Sequence, residues 1–290
     1  MADDRASRVV IVLRHPSRSV RIAAELASMG MTVYALPLTD AELPVDVGAA
    51  SRELLALGRG EYRWLVVTSG NAVNALELLT RSGGGTLAGA VATGGARVAA
   101  VGSATARLLT DAGITVDLVP EDASSLGLLR AFERGNGGVL LPQADLAPDD
   151  LRAGLTGLGW SVRRIEVYRT VPYPADPARR VPGVVEQGTP PPLLAPDGVV
   201  ALASSGVQPA VVFTAPSAVL QFRERLADGP LAFHPVAIGR TTAAALRTQG
   251  WGPGAIATDP TPQGIAAAVE EAFRSDGKTL APAPDNGEKS

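Results

Sequence analysis

The stretch "ASRELLALGRGEYRWLVVTSGNAV" (residues 50–73) returns, without a gap, as "PDGVVALASSGVQPAVVFTAPSAV" (residues 196–219). Gly60 falls on Gly206, Thr68 on Thr214, and Ala72-Val73 on Ala218-Val219. Each copy reads as helix, glycine stop, apolar strand, polar elbow, helix. Self-similarity of this kind decides the fold before any single motif does.

Two more pairs frame the first. "AAVGSATARLLTDAG" from Ala99 aligns with "VAIGRTTAAALRTQG" from Val236, as strand, tight glycine turn, helix and terminal glycine. "VVIVLRHPSRSVRIAAELASMGMTVYALPL" from Val9 aligns more weakly with "GVLLPQADLAPDDLRAGLTGLGWSVRRIEV" from Gly138, with Gly30 on Gly159 and Val33 on Val162. Three units therefore occur in order and recur in the same order. Short apolar strands alternating with helices predict an α/β chain of two doubly wound, parallel-sheet domains. Ligands of such sheets bind beyond the carboxyl ends of the strands. The polar elbows after Val67, Val101, Phe213 and Ile238 belong at those ends.

The elbow "VVTSGNAVNALELL" (residues 66–79) poses a chemical question. Ser69 or Asn71 can serve as a helix cap and nothing more. Small residues with free N–H groups at a helix start can also seat an anion. Its recurrence in an equivalent place favours a role beyond capping, although duplication alone could preserve a cap.

Composition narrows the classes. The chain has 290 residues, which suggests two domains, and 46% hydrophobic residues, enough for a full core. It has no cysteine, so disulfide and thiolate chemistry are excluded. A net charge of −3 without a long basic run argues against nucleic acid. The start "MADDRASRVV" carries no signal-peptide apolar region, and no apolar run is long enough for a bilayer. A cytoplasmic soluble protein without a membrane partner is expected. Lysine occurs only at Lys278 and Lys289, which fits a compositional bias better than a recognition code. With only His15 and His234, a histidine metal site has little material. Residues 277–290 read as a disordered tail.

Nucleotide motifs are absent. "VGSATA" and "IGRTTA" hold one glycine where a dinucleotide fingerprint needs three. "GNGG" at 135–138 and "RSGGG" at 81–85 lack the Lys-Ser/Thr of a phosphate loop and read as loops.

"VVTSGNAV", "VAAVGSATARLLTDAG", "VRRIEVYRTVPYP", "VVFTAPSAV" and "VAIGRTTAAALRTQG" stand in the order and approximate spacing of uroporphyrinogen-III synthases, which the chain resembles. The resemblance covers about residues 8–273. It implies a discontinuous first domain, residues 1–36 and 172–276, and a second domain, residues 40–165. Two extended linker strands, 33–40 and 163–171, would join them around a substrate cleft. It implies a small-molecule substrate, linear hydroxymethylbilane, which loses water and closes with inversion of the last pyrrole. No metal or organic cofactor is implied, and a monomer is expected.

The resemblance also implies site residues. Tyr168 in "EVYRT" matches the family tyrosine and is the candidate general acid for the leaving hydroxyl. A phenol suits this role because it donates without carrying charge beside a developing cation. Period-two alternation would place Tyr168 with Glu166 and Arg164, opposite Ile165 and Val167. The substrate's eight carboxylates need donors. Arg14, Thr68, Ser69, Asn71, Thr105, Thr214, Ser217 and Thr242 are the candidates. The chain departs from the family at Thr214-Ala215-Pro216-Ser217, which lacks one hydroxyl. It departs again at Pro142-Gln143-Ala144-Asp145, where the family often has an arginine-glycine pair. Two α/β domains also describe a small-ligand sensor without turnover. A nucleotide-sugar transferase would want acidic metal ligands near a strand end, and no convincing D-x-D occurs in the ordered segments.

Overall fold

The computed structural model describes residues 8–183, 185–226, 231–275 and 279–280. The chain divides into two compact units, Met1–Thr39 with Val184–Ser290, and Asp40–Gly183. The first unit opens with β1 (Val9–Val12), a 3-10 turn (Pro16–Arg18), α1 (Val20–Ser28) and β2 (Thr32–Ala35).

The second unit is contiguous. It runs β3 (Thr39–Glu42), α2 (Gly48–Gly58), β4 (Trp64–Val67), α3 (Gly70–Ser82), α4 (Leu87–Gly94) and β5 (Arg97–Ala100). It continues through α5 (Ser103–Asp111), α6 (Ser125–Ala131), β6 (Gly138–Ala144), α7 (Asp150–Gly157) and β7 (Ser161–Pro172). The chain then completes the first unit with α8 (Pro196–Ser204), β8 (Ala210–Phe213), α9 (Pro216–Leu226), β9 (Ala232–Ala237) and α10 (Arg240–Thr248). β10 (Ala255–Ile256), α11 (Pro262–Arg274) and β11 (Thr279–Leu280) close it.

Strand order is β10-β9-β8-β1-β2 in the first unit and β3-β7-β6-β4-β5 in the second. The pairs β1–β2, β1–β8, β8–β9, β4–β5, β4–β6 and β6–β7 are all parallel. Matching the repeats to these orders gives β2-β1-β8-β9 on β7-β6-β4-β5, strand for strand. Residues 9–38 thus lie with residues 196–250, while residues 138–167 lie with residues 50–113. The two copies trade their first units.

Both sheets are covered on both faces, as parallel sheets require. In the first unit Ile11, Val211 and Phe213 face Val219, Phe222 and Leu246, whereas Val10, Val12 and Val212 face Ile22, Leu26, Ile265 and Val269. In the second, Leu65, Val67 and Leu140 face Leu54, Leu76 and Leu109, whereas Val66, Val139 and Leu141 face Leu128, Leu151 and Leu155. The repeat glycines Gly60 and Gly206 have φ of 78° and 82°, the left-handed stop that leaves glycine as the fitting residue after α2 and α8.

The division between the units falls at residues 39/40 and 183/184. Residues 172–183 stay with the second unit instead of beginning the return to the first. Leu43 N–H donates to the Arg179 carbonyl at 2.8 Å, Val181 N–H donates to the Ala41 carbonyl at 2.8 Å, and Arg180 pairs with Asp40 at 2.9 Å. The segments expected as extended linker strands overlap strands of the two sheets: β2 pairs with β1, and β7 pairs with β6 over the length of β6. The expected disordered tail lies outside the described residues except for Thr279–Leu280. These two residues pair antiparallel with Ala232–Phe233, the half of β9 that the short β10 leaves open. Among the described residues no helix is long and apolar enough to cross a membrane.

Candidate active site

Each polar elbow stands at the carboxyl end of a strand. In the second unit β4 ends at Val67, and Ser69 is the residue that caps α3. Its backbone is extended, with φ −154° and ψ 156°, and its Oγ accepts from the Ala72 N–H at 3.2 Å. Thr68 and Asn71 are half-buried beside it. The capping role therefore falls on Ser69 alone.

Ser69 has a second partner. The Tyr168 hydroxyl lies 3.2 Å from Ser69 Oγ. Simple alternation along β7 would not bring it there. Gln143 pairs with Glu166 and the next residue, Ala144, pairs with Tyr168, so Val167 is an extra residue in β7. Such a bulge re-aims the side chains that follow it. The expectation that Tyr168 shares a face with Glu166 and Arg164 is corrected accordingly. Its ring packs against the core that holds Ile165 and Val167. Arg164 reaches the other way, its guanidinium donating to the Asp145 carbonyl at 3.2 Å.

In the first unit the hydroxyl equivalent to that of Thr68 is already engaged. Thr214 Oγ1 donates to the Leu13 carbonyl at 2.9 Å, which ties the elbow to the loop after β1. Ala215 stands where the second unit has Ser69 and offers no hydroxyl. Ser217 is exposed at the second position of α9. Thr105 and Thr242 occupy matching third positions of α5 and α10, but they are only 7% and 1% exposed, so both sit in the packing of their helices.

Arg14 follows β1 and is half-buried. Burial is the largest influence on its guanidinium and lowers its pKa from the ordinary value. Arg18 and Arg21 push in the same direction, and Glu186 opposes them. Arg14 donates to the Arg18 carbonyl at 3.4 Å. Glu186 is committed elsewhere, accepting from the Arg21 N–H at 2.9 Å and lying 3.6 Å from the Arg21 guanidinium. Sequence reasoning missed Arg18, although the spacing of Arg14, Arg18 and Arg21 across one turn and one helix start carried the signal.

Gln143, noted for replacing an expected basic residue, is not in a loop. It extends β6, is 4% exposed, and its Oε1 is buried without a partner among the described residues. A cavity lies elsewhere in the second unit. It holds about 650 Å³ between α2, α3 and α4, and its wall includes Leu54, Leu79, Thr86 and Ala90. Leu79 is nine residues along α3 from the elbow, about 14 Å at helical rise. Its Thr80 and Ser82 hydroxyls donate to the Leu76 and Leu78 carbonyls. Its lining is apolar and hydroxyl side chains with glycines. Among the described residues no group of three or more His, Asp or Glu could hold a metal ion.

Two doubly wound units with polar elbows at their strand ends define a two-domain α/β protein. A family model described as uroporphyrinogen-III synthase HemD matches residues 20–267, and the chain belongs to that family. Among solved structures, a mutant uroporphyrinogen III synthase from the extremely thermophilic bacterium Thermus thermophilus is 23% identical. That match covers 92% of this chain and 99% of the other, with a TM-score of 0.61. Uroporphyrinogen-III synthetase from Helicobacter pylori 26695 is 18% identical over 92% of this chain and 97% of the other, with a TM-score of 0.54. These likenesses show the fold. No curated protein matches the chain by sequence.

Proposed function

We propose that this chain is a cyclising lyase that converts hydroxymethylbilane to uroporphyrinogen III. Family membership supports the substrate. The observation that carries the chemistry is the Tyr168–Ser69 contact at the carboxyl end of β4. Ser69 Oγ accepts from the α3 backbone, which leaves its own proton free to donate to the phenol oxygen. Tyr168 then holds its proton for the substrate hydroxymethyl oxygen.

Proton transfer lets that oxygen leave as water while the pyrrole nitrogen lone pair forms the azafulvenium cation. The phenolate left behind is stabilised by the Ser69 hydroxyl and by the positive end of α3. The azafulvenium carbon bonds to the substituted carbon of the last pyrrole to give a spiro intermediate. The older bond from that carbon to the methylene of the third pyrrole then breaks, leaving a second azafulvenium, which bonds to the free α-carbon of the last pyrrole and so inverts that ring. Final loss of the carbon-bound proton restores aromaticity and returns a proton to the site. Selecting this route over direct closure requires that its transition state be bound more tightly.

The test is turnover of hydroxymethylbilane without added metal or nucleotide, followed by chromatography of the oxidised product. Predominant type III isomer is expected. Type I alone, at the uncatalysed rate, would refute an enzymatic role and favour a binding protein.

A further inference from the structure

The repeat supplies an internal control on charge. In the copy that builds the second unit, Gln143, Ala147 and Ser103 occupy the positions that Arg14, Arg18 and Arg240 hold in the first. The same strand-turn-helix units thus form with and without arginine, so packing does not require these charges. All three arginines stand where strands of the first unit end: Arg14 and Arg18 in the turn after β1, Arg240 at the first residue of α10 after β9. One strand, β8, lies between β1 and β9, which sets the two strand ends about 10 Å apart.

Their placement is electrostatically unfavourable as it stands. A cation at the start of α10 opposes the helix dipole. Arg14 and Arg18 are half-buried and repel each other. Burying charge costs free energy unless a partner compensates. Glu186, the nearby carboxylate, is held by the start of α1 and by Arg21. Neither Arg14 nor Arg18 has a carboxylate at ion-pair distance among the described residues. An arriving carboxylate supplies the missing partner, and a guanidinium fork can take it bidentately.

We propose that Arg18, with Arg14 and Arg240, forms a carboxylate-binding rim on the first unit. The proposal rests on the reading of the substrate as an octacarboxylate tetrapyrrole. Arg18 and Arg240 are binding residues in it and touch no reacting atom.

The experiment compares Arg18→Gln and Arg240→Ser, the latter installing the other copy's own residue. Arg247→Gln, at the far end of α10, is the charge-matched control. Two readouts are taken: steady-state turnover of hydroxymethylbilane, and fluorescence titration with uroporphyrin, which is not turned over. KM and the uroporphyrin Kd should each rise roughly tenfold per arginine removed, the loss expected for one charged hydrogen bond. The kcat should stay within about twofold, and Arg18→Lys should recover part of the affinity because it keeps charge and loses the fork. The effect should shrink as salt is raised. Turnover by the wild type with unchanged KM and Kd in both variants overturns the rim and leaves the enzyme reading intact. Absent turnover with Arg18-dependent uroporphyrin binding leaves the rim and overturns the enzyme reading. Equal losses in the Arg247→Gln control would reduce the effect to net charge and also overturn the rim.

Discussion

Replacing Ser69 separates its two tasks. As the α3 cap it accepts from the Ala72 N–H, and as a neighbour of Tyr168 it can donate to the phenol oxygen. Ser69→Ala removes both. The cap is worth about 1 kcal/mol, which lowers the melting temperature of a unit this size by about 3 °C. Ser69→Gly removes the hydroxyl too, but glycine is a tolerable cap and costs only a few tenths of a kcal/mol. Both variants should lose turnover equally. A hydrogen bond that strengthens as phenolate character develops is worth about 1.5–3 kcal/mol, so kcat should fall roughly 10- to 100-fold. Tyr168→Phe should fall by about 100-fold through loss of the proton donor. Because Ser69 acts through Tyr168, the Ser69→Gly/Tyr168→Phe double variant should be no slower than Tyr168→Phe alone. Stopped-assay turnover and thermal melts on the four variants beside the wild type decide the matter. Wild-type turnover in Ser69→Gly would refute the relay and leave Ser69 a cap, and losses that add in the double variant would refute it by making the Ser69 effect independent of Tyr168.

Thr68→Val should raise KM about two- to tenfold, the net worth of one hydrogen bond, whereas Thr242→Val, buried in the packing of α10, should shift the melting temperature and leave KM unchanged. Titration calorimetry with uroporphyrin beside thermal melts separates the two outcomes. Glu53 accepts from the Tyr62 hydroxyl and pairs with Arg163 at 2.8 Å, and the Tyr62 hydrogen bond leads in holding its carboxyl below the usual range. A depressed carboxylate contributes stability that is present above its unfolded pKa, about 4.3, and is lost as pH falls through the lower folded value. Glu53→Gln should therefore flatten the acid limb of denaturant-measured stability below about pH 4, and an unchanged limb would mean that the pair contributes nothing.

What the sequence made legible follows from which physical signals are local. Buried parallel strands must be apolar on both faces, so runs such as Leu65–Val67 and Val211–Phe213 announced themselves, and so did the glycines that stop α2 and α8. The position of Ser69 after its strand likewise marked it as a candidate cap. Tyr168 was legible as a residue but not as a geometry. Alternation assumes one residue per step, and the extra residue at Val167 is fixed by pairing between β6 and β7, which no window on β7 alone contains. Thr105 and Thr242 show the converse limit. The third residue of a helix lies on the strand-end side in sequence, but rotation about the helix axis turned both inward, and periodicity in α5 and α10 could have shown it through Leu109 and Leu246. Exchange of the first units between copies has the deepest consequence for the site. Because β1 lies with β8 and β9, Arg14 and Arg18 join the elbow that has Ala215 in the place of Ser69, and Tyr168 joins the elbow that keeps Ser69. Had each copy folded on itself, Tyr168 would stand beside Ala215, with no hydroxyl to receive a proton from or to stabilise a phenolate. The pairing of strands across the duplication is what gives the tyrosine its partner.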